Sequence, residues 1–141
     1  MTDQLLTDSN KALVHSFYAG GTNSEAKEYG EIFHPDFKVT APKYLPWGGT
    51  GDLNTYLGDI LIQVTEVLDF KRYEIISLIG ENDSVVIVID IGIMGTPHTV
   101  RISEHWEIKN GKAIYLWVAY FEPDKLMELI ASNAAKKANE D

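Results

Sequence analysis

The chain contains no cysteine, which excludes disulfides, thiolate metal sites and cysteine nucleophiles together. Basic residues are scarce: 12 Lys and Arg stand against 21 Asp and Glu, a formal net charge of -9, so there is no basic cluster to hold a phosphate backbone. Nucleic acid is therefore not an expected partner. No apolar run approaches the roughly 18 to 20 uninterrupted residues that a membrane-spanning helix needs, so no membrane partner is expected either. Residues 1 to 10 are polar and lack a basic, apolar leader, which makes the cytoplasm the expected location. The four histidines are scattered without a ligand spacing on any helix, so neither a metal nor another cofactor is called for. Gly48, Gly49 and Gly51 follow no strand in the dinucleotide-binding pattern, and no serine stands at a nucleophile elbow.

What is present describes a folded α+β chain. With 141 residues and an apolar fraction of 45%, it has material for one hydrophobic core, and residues 1–141 read as one domain. Asp8-Ser9-Asn10 precedes Leu13, Val14, Phe17 and Tyr18, an apolar stripe at helical spacing, with Ser9 or Asn10 as its cap and Gly20-Gly21 as its end. Thr22-Asn23-Ser24 offers caps for a second helix running from Glu25 to about Phe33, with Tyr29, Ile32 and Phe33 inward. His34-Pro35-Asp36 stops it, His34 capping carbonyls there, and a short strand follows from Phe37 to Thr40. The loop from Ala41 to Gly51 carries Tyr44, Leu45 and Trp47, heavy apolar cargo that predicts folding back over something apolar. A third helix from Leu53 to Val67 presents Leu53, Tyr56, Leu57, Ile60, Leu61 and Val64.

From Asp69 the period changes to two. Strands at about 70–80, 84–94, 99–108 and 112–121, joined by short turns, predict an antiparallel meander whose one face is covered by the helices. After Pro123 a weak helical pattern runs through Leu126, Ile130 and Ala134, then turns polar and is expected to fray.

The last hairpin decides where chemistry can sit. A plain two-residue turn at Asn110-Gly111 pairs Lys109 with Lys112 and puts Glu104 on the face of Trp117. A glycine-bulged turn pairs Ile108 with Lys112 and lines Val100, Ile102, Glu104, Trp106, Ile114, Leu116, Val118 and Tyr120 along one face. The second sorts apolar from polar better and is the expected register. It projects Glu104 into the space beneath the helices, where lost hydration would raise its pKa and suit it to acid–base work. The alternative is a Glu104 that reaches the cavity rim or pairs with a helix side chain. Tyr18 and Tyr56 are candidate hydroxyl donors, and Trp47 is a lid over the cavity mouth or simply a packed loop residue. Asp90, Arg101, His105 and Trp117 fall on the outer face, as a polar cluster or subunit contact.

Four segments together resemble the nuclear-transport-factor-2-like superfamily, and within it the SnoaL-like polyketide cyclases and ketosteroid-isomerase-like proteins. They are Ala12-Leu13-Val14-His15-Ser16-Phe17-Tyr18, Ile32-Phe33-His34-Pro35-Asp36-Phe37, Leu45-Pro46-Trp47-Gly48-Gly49-Thr50, and the stretch from Asn110-Gly111-Lys112 to Trp117. The resemblance spans residues 8–123. It implies a cone-like curved sheet, mixed or antiparallel, wrapped around three N-terminal helices, with an apolar pocket and a homodimer joined through the outer sheet face. Phe17, Trp47, Ile102, Trp106, Leu116, Val118 and Tyr120 would line that pocket around Glu104, Tyr18 and Tyr56. Position by position, the isomerase base aspartate falls on Ala41, its oxyanion-binding tyrosine on Phe17 beside Tyr18, its neutral hydrogen-bonding aspartate on Glu104, and the cyclase acid on Val118. The implied activity is cyclisation, isomerisation or dehydration of a small hydrophobic carbonyl compound by proton transfer without a cofactor. A non-catalytic dimeric binding protein, or a structural or regulatory subunit, is the alternative.

Overall fold

The computed structural model describes residues 2–21 and 29–140. Helix α1 spans Asp3–Gly21, α2 Tyr29–Ile32, α3 Leu53–Thr55, α4 Leu61–Val67 and α5 Asp124–Glu140, with a π-helical turn at Tyr56–Ile60. Strands are β1 Phe33–Ala41, β2 Gly49–Asp52, β3 Leu68–Glu81, β4 Ser84–Ile93, β5 Thr99–Lys109 and β6 Lys112–Phe121. They form one sheet in the order β2-β1-β6-β5-β4-β3, in which only β1 and β6 run parallel. The result is a curved, unclosed mixed sheet wrapped around the helices. Irregular pairing in β1, β3 and β6 helps bend it, because each bulged residue sharpens the local twist.

Several elements depart from the sequence expectation. Helix α1 starts at Asp3, with the Thr2 hydroxyl accepting from the Leu5 amide at 3.1 Å. Asn10 is therefore no cap; it is buried in mid-helix and its amide donates to the Asn82 carbonyl at 2.8 Å, tying α1 to the β3–β4 turn. The caps read at Thr22-Asn23-Ser24, the second helix's start and the Tyr29 side chain lie outside the described residues. His34-Pro35-Asp36 belongs to β1, where the His34 ring accepts from the Asp36 amide at 3.0 Å instead of capping a helix. The rule that drives a residue before proline out of helix also admits it to a strand, and the irregular pairing between Phe33 and Lys38 leaves room for a proline without N–H. The end of the aromatic loop becomes the edge strand β2, paired with β1. The polar C-terminal segment is helical through Glu140, anchored by the fully buried Leu126.

The core lies between the helices and the inner sheet face. Ile87, Ile89, Ile91 and Ile93 alternate inward along β4 and are all buried, each side chain worth roughly 1.5–3 kcal/mol.

The hairpin resolves in an unexpected way. Asn110 and Gly111 both take positive φ, 52° and 76°, so the turn is the tight two-residue kind with Lys109 opposite Lys112. The glycine-bulged turn expected from sequence is thus not formed. The bulge sits three residues beyond Gly111: Ile108 pairs with Ala113 and Glu107 with Tyr115, leaving Ile114 as the extra residue. That one insertion flips the rest of β6, so Leu116 faces Trp106, Val118 faces Glu104 and Tyr120 faces Ile102. Ala113, not Ile114, takes the buried place near the turn.

Candidate functional site

Helices, loop and sheet converge on one cavity of about 60 Å³. Phe17 and Tyr18 come from the last turns of α1, Trp47 from the loop before β2, Tyr56 from the π-helical turn, Ile102 and Glu104 from β5, and Leu116, Val118 and Tyr120 from β6. The Asp52 carboxylate caps α3 by accepting from the Thr55 amide at 2.9 Å, which fixes where the helical stretch starts. The π turn then winds wider than an α-helix and keeps Tyr56 and Ile60, four residues apart, both buried on the cavity side.

Glu104 is the cavity's one ionisable acid among the described residues. It is half-buried and lines the cavity. Burial pushes its pKa up to about 7, opposed by a hydrogen bond from Tyr18. The Tyr18 hydroxyl in turn accepts from the Trp106 indole N–H at 3.2 Å. A chain of donors therefore runs from Trp106 through Tyr18 to Glu104, and it orients the carboxyl from the core side. Burial and the neighbouring Glu104 charge push the Tyr18 pKa well up, so its hydroxyl stays protonated. Tyr120 is likewise raised by burial and by Glu104, and its hydroxyl accepts a hydrogen bond from Trp47. No Lys, Arg or His lines the cavity among the described residues.

Trp106 is the exception among the residues read as pocket lining. It lies behind Tyr18 at 1% exposure, packed edge-on against Phe17 at 5.3 Å and near Phe33 at 6.2 Å. Its size fits it to the core, and its N–H, which must find a partner when buried, is what reaches the site. Ala41 and Val118, where the resemblance lays two acids, line the same cavity as apolar side chains.

The outer-face residues are brought together as two pairs. Arg101 makes a bidentate contact with Asp90 at 2.8 and 3.0 Å, and that bond holds the Asp90 carboxyl below its usual range. His105 bonds Glu107 at 2.8 Å and its ring lies 5.3 Å from Trp117, which stacks on Tyr115 at 4.0 Å. Both pairs face away from Glu104. Among the described residues no cluster of three or more His, Asp or Glu could hold a metal ion, and no helix is long and apolar enough to cross a membrane.

Sequence reasoning missed the Trp106–Tyr18 and Trp47–Tyr120 bonds. The first joins residues 88 apart, with no local pattern to announce it. The second had one signal, the presence of a tryptophan in a glycine-proline loop.

No protein-family description matches the chain, and no curated protein matches it. Solved structures do. An NTF2-like protein from Burkholderia xenovorans LB400 superposes with a TM-score of 0.65 at 16% identity, over 82% of this chain and 91% of that one. TerC, co-crystallised with polyporic acid, gives 0.65 at 22% identity over 85% and 98%. A putative isomerase from Rhodopseudomonas palustris gives 0.64 at 16% identity over 85% and 93%. At these identities the likeness concerns the fold: this chain has the NTF2-like, cystatin-like architecture.

Proposed function

We propose that the protein is an enzyme of the SnoaL-like kind, a cyclase, isomerase or dehydratase that moves a proton on a small hydrophobic carbonyl compound. The observation that carries this reading is Glu104, a carboxyl with a pKa of about 7 that faces an apolar cavity. A group poised near neutrality both takes and returns a proton efficiently at physiological pH. In the proposed step the ionised Glu104 removes a proton from the carbon beside the carbonyl, and the C–H electrons pass to the carbonyl oxygen as an enolate. Tyr56 or Tyr120 donates to that oxygen, and Glu104 returns the proton to carbon. Tyr18, whose hydroxyl is already given to Glu104, is a positioning residue here. TerC, which shares this fold, was co-crystallised with polyporic acid, and that supports a small-molecule role. The reading includes a homodimer through the outer sheet face, supported by Trp117 at 42% and Phe121 at 66% exposure.

The experiment is hydrogen–deuterium exchange into the α-positions of simple ketones in D2O, followed by NMR. Exchange above the buffer blank that disappears in Glu104→Gln is expected. A second reading, a binding protein without chemistry, draws on Ala41 and Val118, which leave Glu104 without an acidic partner. Ligand binding without any exchange would select it.

A further inference from the structure

Trp47 stands between two hollows. On one side is the cavity of about 60 Å³ that holds Glu104; on the other is an open groove of about 180 Å³ between α4 and α5. Among the described residues Trp47 alone lines both. The inner cavity has room for about two waters, whereas a benzene ring occupies an apolar cavity of about 150 Å³. An aromatic or longer carbonyl compound therefore does not fit behind Trp47 as it stands.

The groove is chemically unlike the cavity. Pro46, Ile130 and Ala134 give it an apolar lining, while Gln63 and Asn133 supply neutral donors and acceptors. Glu66 and Lys137 reach across it from α4 and α5 at 3.8 Å, neutralising each other at its rim. The Trp47 side chain itself belongs to a short loop held by two turn bonds, from the Leu45 amide to Pro42 and from the Gly48 amide to Leu45. Its indole N–H is held by the Tyr120 hydroxyl. One hydrogen bond and side-chain packing thus hold Trp47 at the boundary of the two hollows.

We propose that the groove is an outer binding subsite and Trp47 the door between it and the cavity, so that the substrate is an elongated, uncharged molecule with its carbonyl beside Glu104. Its far end lies between α4 and α5, with hydroxyl or ether oxygens facing Gln63 and Asn133. The inner end carries no negative charge because the lining holds the Glu104 carboxyl and, among the described residues, no cation to pair with an anion. This inference rests on the reading of Glu104 as the reacting group and adds the shape and charge of what reaches it.

The test compares acetone, which is too short to reach the groove, with 6-phenylhexan-2-one, which is long enough to span both spaces, by ligand-observed NMR. The variant is Ala134→Trp, which fills the groove from an exposed position on α5. The long ketone is expected to bind the unmodified protein at least tenfold more tightly than acetone. The variant is expected to lose at least tenfold for the long ketone alone. In protein carrying 5-fluorotryptophan, the Trp47 fluorine resonance should move when the long ketone binds. Equal binding of the long ketone to both proteins, or an unmoved Trp47 resonance, would overturn the subsite and door while leaving Glu104 intact. Failure of both ketones to bind the unmodified protein would overturn the subsite and the reading of Glu104 together.

Discussion

Glu104 costs the fold something, and the sign of that cost is testable. Its folded pKa of about 7 lies above the ordinary 4.5, so folding takes up a proton between those values. The protein is most relieved below pH 4.5, loses stability as pH rises through about 7, and carries the full penalty above it. Glu104→Gln should therefore stabilise the protein at pH 8, by up to about 3 kcal/mol if the whole shift is recovered, and have little effect at pH 4.5. Thermal melts at the two pH values check this. Tyr18 works in the opposite direction, because its hydrogen bond favours the ionised carboxylate. Tyr18→Phe should raise the Glu104 pKa further and strand the Trp106 N–H, lowering stability by about 1 to 3 kcal/mol. Titration of the Glu104 side chain in the variant, alongside its denaturant unfolding, reads both effects.

At the scale of elements, the site depends on backbone placed with little slack. Gly48 closes the loop that carries Trp47, and a Cβ there would lie 2.1 Å from the Pro42 carbonyl oxygen and 2.8 Å from the Lys43 Cα. Gly48→Ala should displace the loop and cost about 1 to 3 kcal/mol, seen as a lowered Tm with a changed tryptophan emission spectrum. Much at this scale was legible in the sequence. The stripes of α1 and of the helical stretch from Leu53, and the alternation of Ile87 to Ile93, each mark a buried face because periodicity is imposed locally. The bulge at Ile114 was not legible. An extra residue in a strand is chosen by which pairing best buries both sides, and Ile114 differs from its neighbours in nothing the chain alone reveals. Apart from Ile114, whose buried place Ala113 takes, the inner face came out as read, because the demand for a dry face governs register whatever turn supplies it. The π turn and the recruitment of residues 49–52 into an edge strand were hidden for the same reason, being settled by packing partners distant in sequence.

The whole molecule presents two surfaces of different character. The inner surface holds an apolar cavity with one acid; the outer surface of the sheet exposes Ile79, Trp117 and Phe121, with Ile79, Val86, His105 and Trp117 in register across β3 to β6. A homodimer through that face should sediment at twice the chain mass, and Trp117→Glu should yield monomers whose Glu104 titration is unchanged. A monomeric unmodified protein at micromolar concentration would contradict that part of the proposal. Fold was more legible than site at this scale too: the order of elements follows from pattern, whereas the donor chain Trp106–Tyr18–Glu104 exists only once α1 is laid against β5.

Everything proposed for the cavity turns on the protonation of one side chain. The most direct measurement is a carbon-13 NMR titration of the Glu104 carboxyl, assigned by its absence in Glu104→Gln, without and with 6-phenylhexan-2-one. A midpoint near pH 7 that moves when the ketone binds is the predicted result. A midpoint near 4.5 that ignores the ketone would contradict it.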